Sequence, residues 1–514
     1  MTSDNLLPAL IQQMMQPEFY PHPVKEPIEL IQTHVSYVLL TGEYAYKLKK
    51  PVNFGFLNYS TLELREHFCQ EELRLNQRGA GEIYLEILPI TQPESQYRLG
   101  GTGEAVEYML KMRQFPQESL FLSMFERGEL DEARMEELGR VVAQYHAQAA
   151  TNDYIRKFGE VEQVRQSIDE NYDQTVKYIS NPQTQSQFDE TKQYTDNFFS
   201  QRQQLFTNRI ESGWIRECHG DLHLRNICLW HDKILLFDCI EFNEPFRFVD
   251  VMFDIAYAVM ELEMLQRPDL GNAYLNTYIE QTGDWEGLQV LPLYLSRQSY
   301  VRAKVNSFLL DDPGVPTAVK QQAAQTAAAY YKLAWEYTKP RQGKLILMSG
   351  LSGSGKSTVA RQLARKTGAI HLRSDAVRKH LAGIPLLERG GDQIYTPEMT
   401  QKTYQRLLNL GLMLANQGFD AILDAKYDRT SLRHNAISAA QSQQIPLQII
   451  SCTAPVEVLR DRLSARTGDI ADATVDLLET QLGAFEVFTS YEQDLVQKVD
   501  TTQSLESQLS ELDS

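Results

Sequence analysis

Gly350-Leu-Ser-Gly-Ser-Gly-Lys-Ser357 lies between an apolar run, Lys344-Leu-Ile-Leu-Met348, and a stretch from Thr358 to Lys366 that carries Val359 and Leu363 at helical spacing. The run predicts a strand and the stretch a helix, so the octapeptide is the turn that joins them. Its glycines and its closing Gly-Lys-Ser satisfy G-x-x-x-x-G-K-[ST] in the context that this pattern requires. Glycines at 350, 353 and 355 let the backbone curl and aim its N–H groups inward, and the positive end of the helix adds to their pull on phosphate. Lys356 can then reach the β- and γ-phosphates of ATP, and the Ser357 hydroxyl can bind Mg²⁺. Gly350, Ser352, Gly353, Ser354, Gly355 and Thr358 complete the expected nucleotide contacts.

At 514 residues the chain is too long for one core; its length suggests about three domains or two large ones. Hydrophobic content of 42% and charged content of 23% are those of a globular protein. The net charge of −18 argues against nucleic acid as a partner, although a small phosphorylated ligand needs only a few local cations. The first cation is Lys25, so a basic signal-peptide segment is not expected. The longest apolar runs fall short of the roughly 18 residues a membrane helix needs, so no membrane partner is expected. Cys69, Cys218, Cys228, Cys239 and Cys452 are scattered and odd in number, which predicts reduced thiols in a cytoplasmic protein.

Before the phosphate loop the pattern changes twice. Leu6, Leu7, Leu10 and Ile11 suggest a short helix, broken by prolines at 17, 21, 23 and 27. Val35–Leu40 and Tyr44–Leu48 read as strands around Thr41-Gly42-Glu43. Thr61–Arg78 reads as a helix capped by Ser60 or Thr61, and Ile83–Ile90 and Ala105–Met112 as further strands. Helical patterning takes over from Leu130, with Met135–Ala150 the clearest element. Residues 151–212 are polar and Gln-rich, an elaboration on the core. Asp311–Pro316 is a loop, Thr317–Tyr337 an Ala-rich helix assigned to the first domain, and Lys339-Pro-Arg-Gln-Gly343 a hinge.

A second chemical centre is His219-Gly-Asp-Leu-His-Leu-Arg-Asn226, followed by Ile234-Leu-Leu-Phe-Asp238, whose Asp238 stands twelve residues after Asn226. Asp221 to Asn226 is the D-x-x-x-x-N interval of a kinase catalytic loop, in which the Asp accepts the proton of the attacking hydroxyl and the Asn holds a metal. An apolar strand ending in Asp238 presents the second metal ligand, and two oxygen ligands on adjacent loops suit Mg²⁺. His219 and His223 read as loop-holding histidines. Their spacing to the cysteines matches no zinc site.

HGDLHLRNI (219–227), LLFDCIEFN (235–243) and FVDVMFDIAY (248–257) resemble the aminoglycoside phosphotransferase-like kinases, over roughly residues 30–310. The resemblance implies a two-lobed kinase fold with ATP in the cleft, Asp221 as base, Asn226 and Asp238 as metal ligands, and Asp254 as a structural support. Its N-terminal lobe should supply a lysine for the α/β-phosphates and a helix Glu to orient it. Lys47 is the candidate, on the strand face of Ala45, with Lys49 on the same face as competitor. Glu72 is the candidate partner, with Glu71 close behind. The chain departs from protein kinases in lacking G-x-G-x-x-G before the lysine strand, in Gly220 where HRD has Arg, and in Cys-Ile after Asp238. These departures fit small-molecule kinases.

Beyond the phosphate loop, Ala369–Leu372, Phe419–Asp424 and Leu447–Cys452 read as strands alternating with helices, which predicts a parallel sheet with its site at the strand C-terminal ends. Ser374-Asp375-Ala-Val-Arg378, the strand-end Asp424 and Arg460–Arg466 make residues 343–500 resemble P-loop kinases of the zeta-toxin, gluconate-kinase and polynucleotide-kinase type. That implies phosphate transfer to a hydroxyl, with Asp375 as general base beside Arg378, Asp424 near Mg²⁺, and Arg462 and Arg466 as lid arginines. Asp375 could also cap its helix, since the two roles can coexist, and the two arginines could line a solvated face.

The sequence therefore predicts an α/β and α+β chain: a kinase-like domain at 1–340 and a P-loop parallel-sheet domain at 341–514. The expected function is an ATP- and Mg²⁺-dependent phosphotransferase acting on hydroxyl groups of small molecules. The alternatives are a nucleotide-binding switch with one inactive centre and a nucleic-acid 5′-hydroxyl kinase.

Overall fold

The computed structural model describes residues 7–101, 103–465, 470–471, 475 and 478–511. Ten strands precede the phosphate loop. The first six are β1 (Glu29–Gln32), β2 (Ser36–Leu40), β3 (Tyr44–Lys49), β4 (Tyr84–Thr91), β5 (Arg98–Leu99) and β6 (Ala105–Arg113). They form one antiparallel sheet in the order β1-β2-β3-β6-β4-β5. Alternation along β3 sends Tyr46 and Leu48 to one face, where they are buried with Ile11, Met14, Phe19 and Ile28. Lys47 and Lys49 take the other face, toward the helix Leu62–Ala80 and its Glu72. Thr61 caps that helix by accepting from Leu64 N–H at 3.3 Å. The proline-rich segment before residue 30 closes with a strand, β1, that its prolines concealed.

β7 (Ile215–Glu217) pairs with β10 (Phe248–Asp250), and β8 (Ile227–Trp230) with β9 (Lys233–Leu236). The β8–β9 turn is His231-Asp232, both with positive φ, as a two-residue hairpin turn demands. Because the hairpin returns on itself, Asn226 just before β8 meets Phe237 just after β9, and Phe237 N–H donates to Asn226 O at 3.0 Å.

The last five strands are β11 (Leu345–Ser349), β12 (Ile370–Arg373), β13 (Ala421–Asp424), β14 (Leu447–Thr453) and β15 (Val496–Asp500). All neighbours are parallel, in the order β12-β13-β11-β14-β15. Ile346, Met348, Ile422, Ile450 and Val499 pack against Val359, Ala360 and Leu363 of the helix Lys356–Thr367. The chain is thus mixed α/β, with a parallel five-stranded sheet toward its C-terminus.

By packing, the chain divides into two compact units. One is Met1–Leu130, Gln148–Ser167 and Arg202–Ala258; the other is Asp131–Ala147, Ile168–Gln201 and Val259–Ser514. The second unit combines the parallel sheet with the helices Pro268–Thr282, Leu291–Asp311 and Thr317–Glu336, so the expected boundary at 340/341 falls within it. The Ala-rich helix lies in this unit, where Ala334 O and Tyr330 O accept from the hydroxyls of Ser296 and Ser299. Among the described residues no helix is long and apolar enough to cross a membrane.

Candidate functional site

In the first unit the hairpin and the sheet bring the expected residues together. Lys47 Nζ lies 2.7 Å from Glu72 Oε1 and 2.9 Å from Asp238 Oδ1. Burial opposes ionisation of Glu72 and Asp238, but the lysine ammonium groups more than offset it, so both carboxyls are held below their ordinary range. Asp238 adopts a left-handed backbone, φ 61°. Its N–H meets the Tyr84 hydroxyl at 3.2 Å, and the next N–H, of Cys239, donates to Asn76 Oδ1 at 2.9 Å. The loop is thereby pinned by the Leu62–Ala80 helix and by β4.

Asn226 Nδ2 donates to Asp221 O at 3.0 Å, which fixes the amide and leaves Oδ1 as its outward oxygen. His219 Nε2–H donates to Phe237 O at 2.9 Å, and its Nδ1 accepts from Asp221 N–H at 3.3 Å. His223 Nε2 lies 3.3 Å from Asp221 Oδ2. Both histidines hold the loop. Asp254, fully buried, accepts from the N–H groups of His219 and Gly220 at 2.7 and 2.8 Å, so it supports the loop from behind. Gly220 has φ +86°, and a Cβ there would stand 2.6 Å from Phe246 O. That crowding excludes the arginine of the protein-kinase pattern.

Lys49 is placed differently from Lys47. Its ammonium is buried between Glu72, at 2.6 Å, and Glu241, with the Tyr59 hydroxyl bonded to the same Glu241 carboxylate. Glu71 instead faces Arg74, at 2.8 Å. Neither Glu241 nor Tyr59 has a role assigned from the sequence. Tyr59 lies outside the kinase motifs and Glu241 inside one, LLFDCIEFN; both matter because the folded loop ends beside β3.

In the second unit, strand register assembles the site. Met348 of β11 and Arg373 of β12 both pair with Asp424 of β13, so the three strand ends are level. The phosphate loop, Asp375 and Asp424 therefore open onto one space. Gly350, Gly353 and Gly355 have φ of +143°, +80° and +87°. A Cβ on Gly350 would stand 2.5 Å from Cys452 O. Lys356, Ser357, Asp375, Asp424, Lys426 and Arg462 line a cavity of about 530 Å³, with Ser352, Gly353, Gly355 and Thr358 at its loop side. Ser354 is turned away, its buried Oγ without a hydrogen-bond partner. Lys356 Nζ donates to Leu351 O at 2.9 Å.

Asp424 Oδ2 meets His371 Nε2 at 3.0 Å. Burial opposes its ionisation, but this bond and the charges of Arg373 and Lys356 lower its pKa to about 2. Asp375 sits in the first turn of the helix Ser374–Ala382, whose N-cap is Arg373, so Asp375 is not the cap. Arg462 donates to Thr501 Oγ1 and Thr501 O, both at 2.8 Å, and Thr501 Oγ1 donates to Ser354 O at 2.8 Å. It braces the loop as well as lining the cavity. Arg378 points elsewhere, to Ile394 O at 2.9 Å. Arg466 lies outside the described residues. His371, Arg373, Lys426 and Thr501 escaped the sequence reading; alternation along β12, which puts His371 and Arg373 on one face, was the available signal.

Residues 345–488 match a family model described as an AAA domain. Over 132 residues, a quarter of this chain and 66% of the relative, the chain is 28% identical to a shikimate kinase of Geobacter sulfurreducens. A solved structure of a choline/ethanolamine kinase family protein from Mesorhizobium loti matches 64% of this chain and 98% of its own, at 10% identity and a TM-score of 0.38. Uncharacterized protein Rv2004c of Mycobacterium tuberculosis is 31% identical over 462 residues, covering 89% of this chain and 90% of the relative. That match runs through both candidate centres and nearly the whole of each protein, and the chain belongs to the family of this mycobacterial protein.

Proposed function

We propose that the protein is a phosphotransferase with two nucleotide sites, each passing the γ-phosphate of ATP to a hydroxyl group of a small molecule with Mg²⁺ as cofactor. One observation carries this reading: the cation Lys356, the hydroxyl Ser357 and the carboxylates Asp375 and Asp424 line a single cavity. Phosphoryl transfer asks for positioning and charge neutralisation more than for covalent chemistry, and this set supplies both.

The donor atoms fit Mg²⁺. Ser357 and Asp424 in one centre, and Asn226 Oδ1 and Asp238 in the other, are hard oxygen ligands of the kind that Mg²⁺ prefers. Bound there, Mg²⁺ neutralises charge on the β- and γ-phosphates. The chain's own residues do the rest. Lys356 and the loop N–H groups hold the phosphates of the second centre. Asp375 accepts the acceptor's proton as the new O–P bond forms and the bond to the β-phosphate oxygen breaks. In the first centre Lys47, oriented by Glu72, holds the α/β-phosphates, and Asp221 is the base.

The Lys47–Asp238 ion pair favours one alternative for the first centre. With Oδ1 of Asp238 spent on Lys47, only its second oxygen is open to a metal, and a centre held in that state would act as a switch. Turnover separates the readings. With labelled ATP and a metabolite library, the full chain should label acceptors, and Lys356→Ala and Asp221→Asn should each abolish a different subset. Labelling unaffected by either change would sink the two-centre reading. The five buried free cysteines support placing this chemistry in the reducing cytoplasm, and the net charge of −18 speaks against a nucleic-acid acceptor.

A further inference from the structure

A second cavity of the same unit, also about 530 Å³, shares Arg373 with the phosphate-loop cavity. Its walls come from three helices, Glu132–Gln148, Pro268–Thr282 and Lys356–Thr367, together with β12. Four cations line it, Arg140, Arg361, Arg365 and Arg373, against the carboxylates Glu136 and Glu280. This local excess of positive charge stands in a chain of net charge −18, so it is not a reflection of composition.

Two of the arginines are structural. Arg365 bridges Glu132 and Glu136, and Arg373 Nη1 stands 3.7 Å from Glu280 Oε1. The other two are not consumed. Arg361 is exposed and comes only within 3.9 Å of Glu136, a carboxylate already held by Arg365. Arg140 is exposed and has no ion pair among the described residues. Ser357, Arg361 and Arg365 are spaced i, i+4, i+8, so one helix face runs from the phosphate loop into this cavity. Arg361 lies about 6 Å along the axis from Ser357. Thr277 and Gln281 supply hydrogen-bonding groups on the opposite wall.

We infer that the acceptor of the second centre is an anionic hydroxyl compound, whose phosphate or carboxylate end is held by Arg140 and Arg361 while its hydroxyl faces Asp375. This rests on the phosphotransferase reading and adds the acceptor's class. It also makes the second centre incomplete without the Glu132–Gln148 helix, which supplies Arg140.

The test uses the full chain loaded with saturating Mg–ADP, so that the phosphate loop is filled, and ribose 5-phosphate against ribose as probes in isothermal titration. Ribose 5-phosphate should bind and ribose should not. The doubly reversed variant Arg140→Glu/Arg361→Glu should lower the affinity at least about tenfold with Mg–ADP binding unchanged. Arg140→Ala/Arg361→Ala, which removes the cations without adding repulsion, should shift it in the same direction. Equal affinity in these variants, ribose binding as well as its phosphate, or no binding of ribose 5-phosphate overturns the inference. Failure of the parent protein to bind Mg–ADP would instead sink the phosphotransferase reading.

Discussion

Lys49 Nζ lies 2.6 Å from Glu72 Oε2, and both side chains are 1% exposed. The other oxygen of Glu72 holds Lys47, so one carboxylate orients the outward lysine while being anchored by the inward one. Removing one partner of a buried pair leaves the other charge uncompensated. Lys49→Met should therefore cost about 3 to 5 kcal/mol of stability in urea denaturation. Lys47→Met should cost roughly 1 kcal/mol, because Glu72 keeps Lys49 and Asp238 is half exposed. Equal losses would mean that the inner lysine is no anchor.

Lys356→Ala should lower turnover at the second centre by about 100-fold, since one preorganised cation on a transferring phosphoryl group contributes on the order of 3 kcal/mol. The full chain carrying Asp221→Asn isolates this centre for the measurement. Gly350→Ala should abolish nucleotide binding there, because its Cβ would collide with Cys452 O and Ser354 Oγ at 2.5 and 2.7 Å. A rate unchanged by Lys356→Ala would show that the loop is not catalytic.

In the full chain carrying Lys356→Ala, only the first centre remains to be read. Asp238→Asn should weaken metal binding, with raised Mg²⁺ recovering part of the rate. Asp221→Asn should lower kcat and leave the apparent affinity for ATP nearly unchanged, because the proposed base acts on the acceptor and not on ATP. A Mg²⁺ titration of both variants separates the two roles. Equal loss of ATP binding without Mg²⁺ rescue would assign both carboxylates to loop structure and favour the switch reading.

Asp424 predicts a pH signature. Its pKa falls from an ordinary 3.8 to about 2 in the folded chain. A carboxyl depressed on folding stabilises above its unfolded pKa, and that contribution is lost as pH falls toward the folded value. Asp424→Asn should be about 2 kcal/mol less stable than the parent at pH 7, and the gap should narrow between pH 4 and pH 2. Urea titrations at several pH values measure it. A gap constant with pH would show that Asp424 is not held as an anion.

The division at 340/341 is testable by fragments. Fragment 341–514 retains its parallel sheet but loses Asn276, whose side chain bonds Ala369 O and His371 N–H at 3.1 and 2.7 Å, and Glu132 and Glu136, which hold Arg365. It should unfold cooperatively and bind Mg–ADP, with a thermal midpoint below that of the full chain. A fragment soluble only when mixed with residues 1–340 would remove the proposed division.

The sequence alone determined the local motifs. Gly350–Ser357 between a strand and a helix, and Asp221 five residues before Asn226, are short-range patterns whose meaning lies in the chain's own geometry. Alternation along β3 likewise sorted Lys47 and Lys49 from Tyr46 and Leu48 before any fold was known. Tertiary structure decided what depends on distant neighbours. It separated Lys47 from Lys49, which share a strand face and differ only in that Glu241, 192 residues away, closes over the inner one. It turned Arg378 away from the site and Arg462 onto Thr501. It also put Arg140 and Arg361 on the lining of one cavity. No period or motif links residues so far apart in sequence; parallel-strand register and helix packing bring them together.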